Sequence, residues 1–224
     1  MKKLKLYKYR SINPHAPDKD ISRILSILQG KLYFADWRDC NDPMEGYFQF
    51  YGDTKNAPDL DRIIKDKEPL KICSLSKTAS NILMWSHYAN SHQGVCIEID
   101  CGDFSYSEEN DRYLRNGEET QNSLFIKQIK YERDIYGIFE GNYHDKIATD
   151  ILSRKIDIWK YEEEFRAFYK STQGIEISVG KITKVIAGVR ISADIMNQIK
   201  KNLPKNIDFV EAKIDFRKNK IVCI

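Results

Sequence analysis

The sequence predicts an α+β fold, a single domain of mixed or antiparallel β-sheets with flanking helices, on three observations. Segments that alternate apolar and polar residues outnumber those with helical spacing. The two kinds follow one another in irregular order, the pattern of an α+β chain. No stretch between elements reads as a linker long enough to separate two cores, so residues 1–224 are read as one domain.

Leu4 to Tyr9 alternates apolar and basic residues and reads as an opening strand, broken by Ser11-Ile-Asn-Pro-His-Ala-Pro, with Arg10 at its end. Ile21, Ile24, Leu25 and Leu28 follow helical spacing, with Asp18 or Asp20 as N-cap and Gly30 as the stop. A short strand, Lys31 to Ala35, comes next. Asp36 to Gly46 is polar and turn-forming, and Asp42-Pro43 suits a tight or helical turn. Leu70 to Leu75 reads as a buried strand ending in Ser74-Leu75-Ser76, whose serines share a face.

Ile82, Trp85 and Tyr88 mark a helix from Asn81 to Ala89 with Ser80 as N-cap, and Val95, Ile97 and Ile99 alternate as a strand. Residues 101–123 are polar and glycine-containing and read as an insertion or flexible loop. Leu124 to Tyr131 returns to strand character, and Asp145 to Trp159 reads as a helix on Ile147, Ile151, Leu152, Lys155 and Ile158. The chain finishes with strand Ile182 to Val189, a helix from an N-cap at Ser192 to Asn202, and one or two strands from Phe209.

Composition is that of a globular protein, 42% hydrophobic and 31% charged. No apolar run approaches a bilayer span, and the start lacks an apolar stretch long enough for a signal peptide, so no membrane contact and a cytoplasmic location are expected. Cysteines 40, 73, 96, 101 and 223 are odd in number without Cys-x-x-Cys spacing, which signals neither a disulfide framework nor a zinc site. His87 and His92 lack a third ligand at suitable spacing, so no metal is expected there and core or hydrogen-bonding roles are. Net charge is +3, too small for a strong nucleic-acid footprint, and the basic tail from Lys200 to Lys220 reads as a solvated face. Phosphate-binding glycine loops, Gly-x-Ser-x-Gly and His-Glu-x-x-His are absent from the sequence.

The segment from Trp159 to Tyr169, Trp-Lys-Tyr-Glu-Glu-Glu-Phe-Arg-Ala-Phe-Tyr, sets three carboxylates among aromatics. As a strand it points Tyr161, Glu163 and Phe165 one way and Glu162, Glu164 and Arg166 the other. Two adjacent carboxylates resist joint ionisation, so cations, solvent or a substrate must hold the pair. Charged decoration of a solvated face is the plain alternative.

Tyr9-Arg10 ending one strand, Ser74-x-Ser76 ending another and Glu162-x-Glu164 on a third resemble, in that order, the Arg, Ser-x-Ser and Glu-x-Glu elements of ADP-ribosyltransferases. Leu75 stands where that family has a threonine. The resemblance implies an ADP-ribosyltransferase-like fold that binds NAD as substrate. Arg10, with Tyr9, would hold a phosphate or ribose, Ser74 and Ser76 would shape the site, and Trp85 and Tyr88 would flank the nicotinamide. Glu164 would stabilise the transition state and Glu162 would act on the acceptor.

The chain also resembles a bacterial family known as domain of unknown function 2971. The residues carrying this are Leu6-Tyr-Lys-Tyr-Arg-Ser, Leu32-Tyr-Phe-Ala, Asn41-Asp-Pro-Met-Glu, Ser74-Leu-Ser, Met84-Trp-Ser-His-Tyr-Ala, His92-Gln-Gly-Val, Lys155-x-x-x-Trp159-x-Tyr-Glu-x-Glu-x-Arg166 and Ile186-Ala-Gly-Val-Arg-Ile-Ser. Asn41 to Glu45 reads as a capped turn, with Asp42 or Glu45 lining the cleft as the functional alternative. The two resemblances together lead to an expected transfer of ADP-ribose to a nucleic acid or protein, in a toxin or phage-defence setting with a possible antitoxin. Two other readings stand beside it. One is a metal-dependent nuclease using Glu98, Asp100, Glu162 and Glu164; the other is a non-catalytic interaction module whose Trp, Tyr and Arg residues form an interface.

Overall fold

The computed structural model describes residues 4–55, 57–117, 124–218 and 220–223. The first half of the chain forms β1 (Lys5–Arg10), α1 (Asp18–Leu28), β2 (Leu32–Asp36), β3 (Gln49–Tyr51), α2 (Pro58–Lys67), β4 (Leu70–Ser76), α3 (Ile82–Tyr88) and β5 (Val95–Asp100). It continues through β6 (Phe104–Ser107), β7 (Arg112–Arg115), β8 (Phe125–Gln128), β9 (Lys130–Glu132), β10 (Gly137–Phe139), α4 (Ile147–Ile151) and β11 (Arg154–Ile156). Then follow β12 (Glu164–Lys170), β13 (Ile175–Ile177), β14 (Lys181–Ala187), α5 (Ala193–Lys201), β15 (Asp208–Asp215) and β16 (Lys220–Cys223). The result is an α+β architecture around a mostly antiparallel sheet of twelve strands.

Along the main path of that sheet the order is β16-β15-β14-β5-β1-β4-β12-β8-β7-β6, with β2 also on β4 and β13 on β2. One face carries α1 and α5, whose Ile21, Ile24, Ile195 and Ile199 pack on Leu6, Cys73, Leu75, Ile97 and Phe165. The opposite face carries α3, whose Met84 and Trp85 pack on Tyr9 and Cys96, and α4, beside Ile72, Phe125 and Phe168. Each such aliphatic or aromatic side chain contributes about 1.5–3 kcal/mol when fully buried. This two-sided cover buries β4, β5 and β12 along nearly their whole length, polar residues included.

The sheet forks at β4. One long edge of β4 pairs with β12 from Leu70 to Ser76. On its other edge β1 meets it only at Ser76 and β2 only at Lys71 and Ile72. Cys73 to Leu75 therefore face an opening on that edge, where Lys8 Nζ donates to the Ser74 carbonyl at 2.8 Å in place of a strand.

Local departures from the sequence reading have identifiable causes. Asn81 rather than Ser80 caps α3, its Oδ1 accepting from Leu83 and Met84 N–H, because Asn81 holds the extended cap conformation. No side chain caps α1; Asp18 and Asp20 instead lie in its first turn, where negative charge suits the helix dipole. Residues 101–117, expected as a loop, include β6 and β7, a hairpin that extends the sheet beyond β8, and residues 118–123 lie outside the described part. The helix expected from Asp145 to Trp159 stops after Ile151. Its remainder becomes β11, which pairs in parallel with β9, and a 3-10 helix over Asp157–Glu162.

Candidate active site at the fork

A cleft of about 300 Å³ opens at the fork, and Tyr9, Arg10, Ser74, Ser76, Tyr88, Glu162 and Glu164 all line it. Strand register explains the convergence. Glu164 pairs with Ser76 and Arg166 with Ser74, so these four side chains share one face, and Tyr7 of β1 sits opposite Ser76. Arg10 leaves β1 on the face opposite Tyr7 and Tyr9 by strand alternation, and lines the cleft through the opening.

The segment bearing the two glutamates is not one strand. Glu162 ends the 3-10 helix, Glu163 adopts a left-handed conformation at φ 44°, and Glu164 starts β12. Glu162 and Glu164 are each 3% exposed while Glu163 is exposed, so the separation expected from a strand survives for a different reason, the left-handed turn between them. Three donors from one stretch hold this turn. Ser76 Oγ donates to the Glu162 carbonyl at 2.8 Å, Lys77 N to that of Glu163 at 2.9 Å and Asn81 Nδ2 to that of Tyr161 at 2.9 Å. Ser76 thus acts on the site by fixing the backbone of Glu162.

A chain of buried charges runs from the cleft wall inward. Lys155 Nζ lies 2.7 Å from Glu162 Oε2 and 2.8 Å from Glu164 Oε2. Arg166 donates Nε to Glu164 Oε1 at 2.8 Å and Nη2 to Oε2 at 3.3 Å, and grips Glu45 with both terminal nitrogens at 2.5 and 2.6 Å. Its Nη1 also donates to the Leu152 carbonyl at 2.6 Å, so all five guanidinium N–H groups have acceptors. Three carboxylates against two cations leave one negative charge over.

Those contacts set opposite protonation tendencies. Burial pushes the Glu164 carboxyl up, but Arg166 and Lys155 outweigh it and hold the group well below the usual carboxylate range. Burial raises Glu162, and the neighbouring Glu164 charge adds to that against the pull of Lys155, leaving it above its ordinary value. Lys155 is kept charged because Glu164 and Glu162 overcome its burial. Tyr88 donates its hydroxyl to Glu162 Oε1 at 2.5 Å, and burial with that bond raises the phenol. Cys40, also in the wall, is pushed up to about 11 by burial, which makes it a poor nucleophile.

On the β1 side the balance is different. Arg10 has a buried Nε with no hydrogen-bond partner and forms no ion pair among the described residues. Burial and the neighbouring Arg23 charge lower its pKa. Gly94, in the turn between α3 and β5, lies so close behind this residue that a Cβ there would come within 2.1 Å of the Arg10 carbonyl oxygen. Glycine at that position lets the end of β1 pass close to the turn that follows α3.

Two expectations need correction. Trp85 does not line the cleft: it is fully buried, gives its indole N–H to the Ala79 carbonyl at 2.7 Å and meets Tyr9 edge-on at 5.3 Å. It supports Tyr9, whose hydroxyl donates to the Thr78 carbonyl. Glu98 is not gathered with Glu162 and Glu164 either, since Lys5, Tyr7 and Thr183 bind its carboxylate on β5. Among the described residues no group of three or more His, Cys, Asp or Glu side chains could hold a metal ion. His87 lines the cleft beside Tyr161, with ring centroids 6.0 Å apart, and His92 bonds Ser86 Oγ at 3.2 Å.

Sequence reasoning missed Lys155 as a site residue because its spacing fitted a helix face, and missed Lys8 because an alternating basic residue reads as solvated. All four residues, Lys8, Glu45, Lys155 and Arg166, stand in the family-like stretches, which give no role to the two lysines. Asp42 forms the capped turn, accepting from Met44 N at 2.9 Å, and that turn presents Glu45 to Arg166.

The model of the family described as "Protein of unknown function (DUF2971)" matches residues 84–167, and the resemblance to that family holds there. The matched stretch includes Tyr88, Lys155, Glu162, Glu164 and Arg166 of the cleft. No curated protein and no solved structure matches the chain. No helix among the described residues is long and apolar enough to cross a membrane.

Proposed function

We propose that the protein is an ADP-ribosyltransferase-like enzyme that uses NAD as substrate and transfers ADP-ribose to a macromolecule. The observation that carries this reading is the meeting of Arg10, Ser74 with Ser76, and Glu162 with Glu164 in one cleft, from β1, β4 and β12, adjacent in the sheet, and the 3-10 helix that leads into β12. The fork in the sheet is read as the nucleotide cleft of an ADP-ribosyltransferase-like fold. A dinucleotide suits the charge pattern. Its diphosphate matches the unpaired Arg10 guanidinium, and its ribosyl carbon, which becomes cationic as nicotinamide leaves, matches the surplus negative charge around Glu164.

In the reaction the bond from C1′ of the ribose to the nicotinamide nitrogen breaks, and its electron pair leaves with neutral nicotinamide. A lone pair of the acceptor forms the new bond to C1′, and the acceptor's proton passes to Glu162. Glu164, held ionised, supplies a fixed charge that needs no rearrangement during the reaction. Glu162, whose proton affinity is raised, is better suited than Glu164 to take a proton. A toxin or phage-defence role in the cytoplasm, with an antitoxin as partner, is the setting proposed with this chemistry.

NAD labelled on its adenylate, incubated with the protein and a cell lysate and then with nuclease or protease, tests the proposal. Label is expected in a macromolecular fraction that one digestion releases, and Glu164→Gln is expected to cut it by about 10²-fold or more. Absence of label from every macromolecule together with absence of free nicotinamide would contradict it.

A further inference from the structure

The opening that exposes Arg10 to the cleft also joins it to a second, larger depression of about 760 Å³ on the α1 side of the sheet. Lys8, Arg10, Cys40 and Ser74 line both. Four cations, Lys8, Arg10, Arg23 and Lys31, face this groove against a single carboxylate, Glu176. Arg23 is partly offset by Asp20 at 3.5 Å, but Arg10 keeps its buried, unbonded Nε. Two guanidiniums close enough to depress a pKa, with too little negative charge between them, form a site that an anion completes.

Tyr33 supplies a second and different feature. Its ring is 57% exposed on β2, a strand held between β4 and β13 in the register Tyr33 to Glu176. Gly174 lies directly under it, where a Cβ would come within 2.1 Å of the hydroxyl oxygen. An exposed aromatic fixed on a rigid strand beside a row of cations is the pairing that single-stranded nucleic acid uses: a base stacks on the ring while phosphates follow the charges.

We propose that this groove binds single-stranded nucleic acid, with Tyr33 stacking a base and Arg23 and Lys31 taking the phosphates, and so leads the acceptor to the cleft. The delivery of an acceptor rests on the transferase reading, whereas the binding does not. Phosphate chemistry alone is shared with the diphosphate of a dinucleotide. The groove has more than twice the cleft's volume and adds a stacking platform outside it, which favours the longer ligand.

Fluorescence anisotropy of the full chain with labelled single-stranded RNA and DNA of about 12 nucleotides tests this. Binding is expected at about 50 mM salt, weakening steeply as salt rises. Joint Arg23→Glu and Lys31→Glu substitution should lower affinity by about tenfold or more, and Tyr33→Ala or Tyr33→Leu by about fivefold or more. All three altered side chains, Arg23, Lys31 and Tyr33, are exposed, and circular dichroism confirms folding. Failure to bind, or binding indifferent to both sets of variants, overturns the proposal. Displacement of the oligonucleotide by NAD, with an equal rise in NAD dissociation constant in the charge-reversed variant, also overturns it, by assigning the groove to the dinucleotide. Nicotinamide release is read on the same samples. Release without oligonucleotide binding removes the groove alone; binding without release removes the transferase reading and leaves the groove standing.

Discussion

On the β12 side of the cleft every N–H of Arg166 has an acceptor and both oxygens of Glu164 are bound, whereas on the β1 side Arg10 keeps a buried Nε with no partner among the described residues. Both arginines stand at the same fork, one fully buried and the other partly so. The difference separates two uses of charge. Arg166 is spent on the protein's own carboxylates and holds their geometry; Arg10 is left for something the described residues do not provide. A buried polar group without a partner costs free energy, so its presence in a cleft points to a ligand that supplies the missing acceptor.

Removing Arg166 should break the comparison most severely. Arg166→Leu leaves Glu45 buried without its cation and Glu164 with Lys155 alone, and a loss of about 3–5 kcal/mol in denaturant unfolding is expected. The same network makes stability depend on pH. The Glu164 pKa is depressed on folding, so its contribution is complete above the ordinary glutamate value of 4.5 and is lost as pH falls below it toward the folded value. Glu162, raised on folding, acts in the opposite sense and makes the folded state less stable above its pKa.

Arg10 should give the contrary result. Arg10→Met removes an unpartnered buried nitrogen, so unfolding free energy is expected to hold or rise, while NAD affinity by calorimetry falls about tenfold or more. A loss of stability comparable to that of Arg166→Leu would erase the distinction between the two sides.

The left-handed residue between the glutamates is expected to show a smaller effect on stability than Arg166. Glu163→Val places a β-branched side chain at φ 44° and should cost about 1–3 kcal/mol, whereas Glu163→Gly, free of that strain, should be near neutral. Equal unfolding midpoints for the two variants would show that the turn does not need this conformation.

Much of this arrangement was legible in the chain because local signals carried it. The strands β1, β4, β5 and β14 follow apolar alternation or runs, and Ser192 caps α5 as its position before the helical pattern indicates. Arg10, Ser74, Ser76, Glu162 and Glu164 could be named as one site through family-like spacing. What could not be read depended on contacts far apart in sequence. Lys155 fits a helical stripe, and only tertiary pairing of β11 with β9 takes it out of a helix and sets it between two glutamates. The helix-like periodicity of residues 145–159 cannot register that a neighbouring strand competes for the same backbone. Trp85 shows the converse. An aromatic after Ser-x-Ser fits a ligand wall, yet its fate was decided by the depth of α3 against the sheet.

Nicotinamide release from NAD across pH, for wild type and Glu162→Gln, tests the central claim most directly. The account predicts release or transfer by the wild type, with an acidic limb whose pKa lies above the ordinary glutamate value because burial and Glu164 raise Glu162, and loss of that limb in Glu162→Gln. A folded wild-type protein that releases no nicotinamide at any pH, or a Glu162→Gln variant with an unchanged profile, would contradict it.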